Sequence, residues 1–243
     1  MWERVGRGVM NKYEITKRIE NFASVETAES WDCVGFMVET DKKDVSKVML
    51  CLTVTEDIIH QARESSCDMI IAHHPLFYVP ADWADIDIYS AHTNLDKANG
   101  GTTDTLIKSS GFEVEIFPPK IYPHEFLRFV DFENGIEVLD LARKLQKISP
   151  NLRYVNNHWQ KVLKRAAFCA GSGSEFIGEA QDMGADCLVT GDLKFHTALD
   201  SEIVVFDIGH FESEILILPV LKDIIGDGVE VVFAKENSPF ITI

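Results

Sequence analysis

The sequence predicts an α/β protein of two related lobes with mixed sheets, joined by a pseudo-twofold internal repeat, with a metal site between the lobes. Three observations carry this expectation. Short uninterrupted apolar runs, 69–72 foremost, suit strands buried on both faces. Such runs alternate with amphipathic stretches, the pattern of sheets covered by helices. The chain also repeats itself at an offset of 118 residues.

In chain order, Ile15, Ile19 and Phe22 recur at helical spacing and predict a helix over 11–22. A turn and short strand follow at 28–39, and then a strand at 45–53. A helix is expected at 56–65, a strand at 67–72, a loop at 78–85 and a strand at 86–91. Gly100 opens a turn that becomes a helix by 110, and 112–117 reads as a short strand. Pro118-Pro119 marks the best linker in the chain. Beyond it come a strand near 124–132, a helix near 135–147 and a strand at 164–170. A helix at 175–183, strands at 186–190 and 203–208, a helix near 212–225 and a strand at 229–234 complete the reading. The expected division is 1–118 plus 221–243 for the first lobe and 119–220 for the second.

The repeat supports this map. Val48-Met-Leu-Cys51 lies over Ala166-Ala-Phe-Cys169, and Asp68-Met-Ile-Ile-Ala72 over Asp186-Cys-Leu-Val-Thr190. Without a gap, His92 then lies over His210 and Asp96 over Glu214.

Composition narrows the function. The 243 residues carry a formal net charge of −16, which disfavours nucleic acid or an anionic membrane as partner. A small anionic substrate stays open, because a bound divalent cation reverses the local field. The five cysteines are scattered, with no C-x-x-C, so neither a disulfide framework nor a thiolate zinc site is expected. Cys51, Cys169 and Cys187 read as core. No apolar stretch approaches the ~20 residues of a membrane span. No signal peptide is expected at the start, and the expected location is the cytoplasm.

The chemistry gathers where strands end. His73 and His74 follow the apolar run 69–72, and Pro75 prevents the strand from continuing. In open α/β sheets ligands collect beyond the carboxyl ends of strands. His210 follows another strand through Gly209, and Glu214 lies one helical turn on. Asp96 takes the corresponding place in the first lobe. Three imidazoles and two carboxylates without a thiolate suit Zn, Fe, Mn, Co or Ni better than Ca or Mg. Five donors are too many for one tetrahedral zinc and natural for two ions bridged by carboxylates. Asp96 and Glu214 are the expected bridges, and a water between the ions would be the nucleophile. His92 is either a sixth ligand or support for Asp96, the latter being favoured. His196 is a candidate proton donor or substrate contact, or else a loop histidine. His60, His124 and His158 read as surface residues. Gly171-Ser-Gly-Ser174 reads as a tight strand-to-helix turn, with phosphate contact as the lesser option.

Trp31-Asp-Cys-Val-Gly-Phe36, Ile71-Ala-His-His-Pro-Leu76, Ala91-His-Thr-Asn-Leu-Asp96, Thr190-Gly-Asp192 with His196, and Gly209-His-Phe-Glu-Ser-Glu214 resemble the Nif-three-like family. Its members are also labelled type-two GTP cyclohydrolase I homologues. The ordered motifs span nearly the whole chain. The resemblance implies a two-lobed α/β subunit with a dinuclear metal centre, assembled as a toroidal homohexamer with the metals facing an internal cavity. It places the ligands on His73, His74, Asp96, His210 and Glu214. The large domain that some members insert between the lobes has no room in 118–165. Cys33 stands where the family pattern leads one to expect Asn.

The expected function is therefore hydrolysis of a small molecule, with a nucleotide such as GTP as the family label suggests, using two divalent ions per subunit. Opening the guanine ring requires water to attack C8, and phosphoester or amide hydrolysis would use the same parts. The alternative is a non-catalytic metal-binding or metal-handling hexamer that presents its site to a partner. Fold and metal do not choose between them.

Overall fold

A computed structural model describes residues 8–113 and 124–241. Pro118-Pro119 and residues 114–117 of the expected strand 112–117 lie outside the described residues. The chain divides into two compact units, Met1–Ala98 with Ile217–Asn237, and Asn99–Leu216 with Ser238–Ile243.

The first unit is built on a five-stranded sheet in the order Glu230–Phe233, Lys47–Cys51, Met69–Ala72, Asp87–Ser90, Gly35–Val38. The first four strands are parallel and the last is antiparallel. Met69–Ala72 lies at the centre with every side chain buried, as its unbroken apolar run requires. The helix Glu56–Glu64 starts where the Thr55 hydroxyl accepts from the Ile58 N–H, with Glu56 and Asp57 in its first turn. Its Ile58, Ile59 and Ala62 bury against Met49, Cys51, Ile70 and Ile88. The helix Lys12–Phe22 is capped by Asn11, buries Ile15 and Ile19, and sends Arg18 to the Ile225 carbonyl.

The second unit repeats the plan. Its sheet runs Arg128–Glu137, Val162–Phe168, Cys187–Thr190, Val204–Asp207, Arg153–Val155. The three middle strands are parallel and both outer ones antiparallel. In each unit three parallel strands follow one another in sequence, and the third leads into a short helix, Thr93–Lys97 or His210–Glu214. In each, an antiparallel strand from earlier in the chain flanks that third strand. The two sheets differ at the opposite edge, where Glu230–Phe233 is parallel and Arg128–Glu137 antiparallel to its neighbour.

Several details depart from the expectations. The helix Thr102–Ser109, expected with the first lobe, belongs to the second unit. Its Leu106 and Ile107 are fully buried in one cluster with Phe168, Val189 and Phe206. The single helix near 212–225 is two, His210–Glu214 and Ile217–Ile225. Pro219 explains the break: it has no N–H to donate and fits only the first turn of a helix. The strand Arg153–Val155 was not anticipated from the sequence.

Cys51, Cys169 and Cys187 are buried in the core. His60 and His158 are exposed, but His124 is half-buried and its Nδ1 accepts from the Phe126 and Leu127 N–H groups. That cap at the entry to Arg128–Glu137 holds it off the open surface. Among the described residues no helix is long and apolar enough to cross a membrane.

Candidate metal centre

In the first unit three histidines meet beyond the ends of parallel strands. His73 follows Met69–Ala72 directly and is fully buried. Its Nδ1 lies 2.9 Å from the Ala91 carbonyl. A carbonyl only accepts, so Nδ1 carries the ring proton and, in the neutral ring, Nε2 carries the lone pair. Nε2 stands 3.5 Å from Asp96 Oδ1. Two acceptors so close are held together favourably only by a proton or a metal ion between them.

His74 Nδ1 is 2.7 Å from the Thr53 hydroxyl. His92 caps the helix Thr93–Lys97 that carries Asp96, and its Nδ1 is 2.9 Å from Asp32 Oδ1. The ring centroids of His73, His74 and His92 are 5.0, 5.1 and 5.6 Å apart. One nitrogen from each ring lies within 4.8 Å of the others.

Asp32 comes from the Trp31-Asp-Cys-Val-Gly35 stretch and is held on every side. Its Oδ2 accepts from the Thr93 N–H at 3.0 Å and the Thr93 hydroxyl at 2.5 Å, and Oδ1 accepts from the Cys33 N–H at 2.7 Å. Burial opposes its charge, but the Thr93 hydroxyl and His92 outweigh it, so its carboxyl is held below the usual range. Cys33 contributes its backbone here while its thiol is exposed.

The second unit brings a matching set together within itself. Gly209 takes φ +89°, a conformation that favours glycine, and His210 begins the next helix. Glu214 Oε2 is 3.0 Å from His210 Nε2, and Asp192 Oδ2 is 2.7 Å from His210 Nδ1. Burial alone would lower the His210 pKa; Glu214 and then Asp192 raise it to about 9.

The Gly171–Ser174 turn is the wall of this set. A Cβ on Gly171 would stand 2.0 Å from Glu214 Oε1. The Gly171 N–H donates to the Ser213 hydroxyl at 2.9 Å and the Gly173 N–H to Thr190 Oγ1 at 2.8 Å. These bonds make it the tight turn that was the favoured sequence reading. A Cβ on Gly191 would meet the His210 nitrogen at 2.6 Å and the Gly171 carbonyl oxygen at 2.8 Å. Close approach of backbones is why glycines recur here.

His196 is exposed in the helix Phe195–Leu199, edge-on to Phe195, and joins none of these groups among the described residues. Sequence reasoning missed Asp32 and Asp192 as partners of histidines. Both stood inside quoted motifs, but Asp32 lies 60 residues from His92, and only the fold brings them together.

The donors are imidazole nitrogens and carboxylate oxygens, with Nδ1 engaged in each ring and Gly171 leaving the room that Glu214 occupies. They fit a borderline divalent ion, and each histidine has the outer partner that metal-binding imidazoles need.

Fold and site together define a two-unit α/β protein with histidine–carboxylate groups, able to hold metal, at the ends of parallel strands. The chain belongs to the Duf34/NIF3 (NGG1p interacting factor 3) family, whose model matches residues 10–239. A Clostridium perfringens protein named GTP cyclohydrolase 1 type 2 homolog is 33% identical over 267 aligned residues, covering 95% of this chain and 99% of that one. NIF3-like protein 1 of Drosophila melanogaster is 30% identical over 214 residues, 76% of this chain and 70% of that one. Among solved structures, a Bacillus cereus protein related to NIF3 matches with TM-score 0.81 at 19% identity, over 96% of this chain and 99% of that one. That likeness is one of fold. Reduced HcgD from Methanocaldococcus jannaschii matches with TM-score 0.79 at 25% identity, over 93% and 98% of the two chains.

Proposed function

We propose that this protein is a dinuclear-metal-dependent hydrolase of a small molecule, with a nucleotide as the first substrate class to test. The observation that carries the reading is the set of outer partners: His73 on Ala91, His74 on Thr53, His92 on Asp32 and His210 on Asp192. Polar loop histidines with no common task do not call for such uniform anchoring through Nδ1. In the proposal His73, His74 and Asp96 from the first unit and His210 and Glu214 from the second hold the ions. When bound, two such ions supply Lewis acidity and acidify a water to a nucleophile. Asp96 and Glu214 have two oxygens each to share. Asp192 keeps the His210 ring turned so that Nε2 meets Glu214 rather than solvent. The name of the Clostridium perfringens relative makes GTP the first compound to assay, with phosphoesters next. The homohexamer implied by the family resemblance belongs to the proposal and is tested by native mass.

The decisive measurement is metal content, by mass spectrometry, of protein purified without added metal. Wild type should carry about two ions per chain, and His73→Ala/His74→Ala should lose metal while remaining folded. Wild type that stays metal-free when offered Zn, Mn, Fe, Co and Ni would refute the reading. Bound, exchangeable metal without turnover of any substrate would instead favour the metal-handling alternative.

A second expectation concerns protons. With a pKa near 9 in the metal-free state, His210 is protonated at pH 7, and a metal at its Nε2 must displace that proton. Metal uptake at pH 7 should therefore release about one more proton in wild type than in His210→Ala. Calorimetry in buffers of different ionisation enthalpy measures this. Apparent affinity should rise with pH up to about 9 and level off above it.

A further inference from the structure

We infer that Glu236, beyond the last strand of the first unit, is a positioning residue for His74. Its carboxylate fixes the Leu52–Thr53 bend, and that bend sets the imidazole for metal. The inference rests on the functional reading above and deepens it by naming what holds one of its donors in place.

The place of Glu236 follows from how the sheet ends. Glu230–Phe233 pairs with Lys47–Cys51 in parallel, and one more ladder bond runs from the Ala234 N–H to the Leu50 carbonyl at 2.9 Å. Among the described residues the backbone pairing stops there. The Leu52 N–H, next in line for a ladder partner, donates instead to Glu236 Oε1 at 2.6 Å, and the Thr53 N–H to Oε2 at 3.4 Å. One side chain thus takes two successive backbone donors, one on each oxygen. The segment is itself strapped down. The Gln61 side chain accepts from the Lys235 N–H at 2.8 Å and donates to the Lys235 carbonyl at 2.9 Å.

The two residues that Glu236 holds are the two that hold His74. The Leu52 carbonyl accepts from the His74 N–H at 2.9 Å. The Thr53 hydroxyl meets His74 Nδ1 at 2.7 Å. With an ion at Nε2, the ring proton stays on Nδ1 and the hydroxyl accepts it. Leu52 is buried, but Thr53 is exposed and lies in the loop before the helix Glu56–Glu64. A hydroxyl on an untethered surface loop would wander with its backbone. The carboxylate removes that freedom.

The internal repeat supplies an independent argument. At the offset of 118 residues, Leu52 and Thr53 lie over Ala170 and Gly171. In the second unit the Ala170 N–H donates to the Thr103 hydroxyl at 3.2 Å and the Gly171 N–H to the Ser213 hydroxyl at 2.9 Å. Both units therefore secure the same two N–H groups with side-chain oxygens. The oxygens come from unrelated places: a carboxylate past the last strand in one unit, two hydroxyls on helices in the other. In each unit the secured bend borders a candidate donor, His74 in the first and Glu214 in the second. The same requirement has been met twice by different means.

The test uses the full-length protein loaded with Co(II) alone, with affinity read by chelator competition and the ligand set by visible absorption. Glu236→Ala should bind Co(II) about tenfold more weakly than wild type, the low end for a group one step removed from a ligand. Its Co(II) absorption bands should shift as well. Glu236→Gln keeps an oxygen for the Leu52 N–H and should fall between the two. Thr53→Val should also weaken binding. Glu236→Ala/Thr53→Val should lose less than the product of the two separate factors, because both act through one contact to His74. A Glu236 that serves the fold alone would lower the melting temperature and leave the two factors multiplicative, which would overturn the inference. So would wild-type affinity in a folded Glu236→Ala, or in Glu236→Gln should the alanine variant not fold. Either result leaves the hydrolase reading intact, whereas wild type that takes up no Co(II) would overturn both.

Discussion

Lys12→Met should destabilise the protein by about 3–5 kcal/mol, the usual cost of stranding one member of a buried ion pair. Lys12 has no exposed surface, and its Nζ is 3.1 Å from Asp87 Oδ1 and 2.6 Å from the Thr40 carbonyl. It also lies 5.3 Å from the centre of the Phe36 ring. Asp87 is just as deep and would retain the Thr40 N–H, at 2.6 Å, against its charge. Urea denaturation followed by circular dichroism measures the loss. Lys12→Met/Asp87→Asn should recover a substantial part, since the penalty lies in the stranded carboxylate rather than in the missing attraction. A double variant no more stable than Lys12→Met would refute that account. The pair ties the helix Lys12–Phe22 to the start of the strand that leads to His92, so the damage should reach metal binding as well.

Gly171→Ala should remove metal from the second unit's donors and lower stability together. The backbone there has φ +69°, which costs a non-glycine residue about 1–2 kcal/mol. The larger effect is steric, because the new methyl would stand 2.0 Å from Glu214 Oε1 and 3.1 Å from its Cδ. Glu214 is buried and bonded to His210, so it yields only by leaving its place. Metal content should fall by about one ion per chain, and the melting temperature should fall too. Gly178→Ala is the control: nothing lies within 4 Å of its added Cβ, and alanine favours its helix. Equal metal content in the two variants would count against Glu214 as a donor.

The sequence revealed those parts of the fold whose local pattern and final environment agree. Met69–Ala72 is apolar throughout because it is covered on both faces and paired on both edges. The 118-residue repeat foreshadowed two sheets with the same three parallel strands. Arg153–Val155 was hidden because it is three residues long, largely exposed, and defined only by pairing with Val204–Asp207. The placement of Thr102–Ser109 was hidden for another reason. Leu106 and Ile107 announce an apolar face but not which core receives it. Within each unit the candidate site was partly legible. His210 and Glu214 sit one helical turn apart, a spacing that sequence displays directly. Asp32 and Asp192 act through bonds spanning 60 and 18 residues, which no local pattern encodes.

The order in which the sheet strands occur along the chain sets an order of assembly. The first unit's sheet ends in Glu230–Phe233, which pairs with Lys47–Cys51 from the far end of the sequence. Between them in the chain lies the stretch Asn99–Leu216, which contains all five strands of the other sheet. During synthesis from the amino end, that second sheet can close while the first still lacks an edge strand. Until Glu230–Phe233 emerges, Lys47–Cys51 presents bare backbone N–H and C=O groups, the kind of edge that invites pairing with another chain. A nascent chain stalled before residue 230 would thus be the most aggregation-prone form of this protein, with one half finished and the other open.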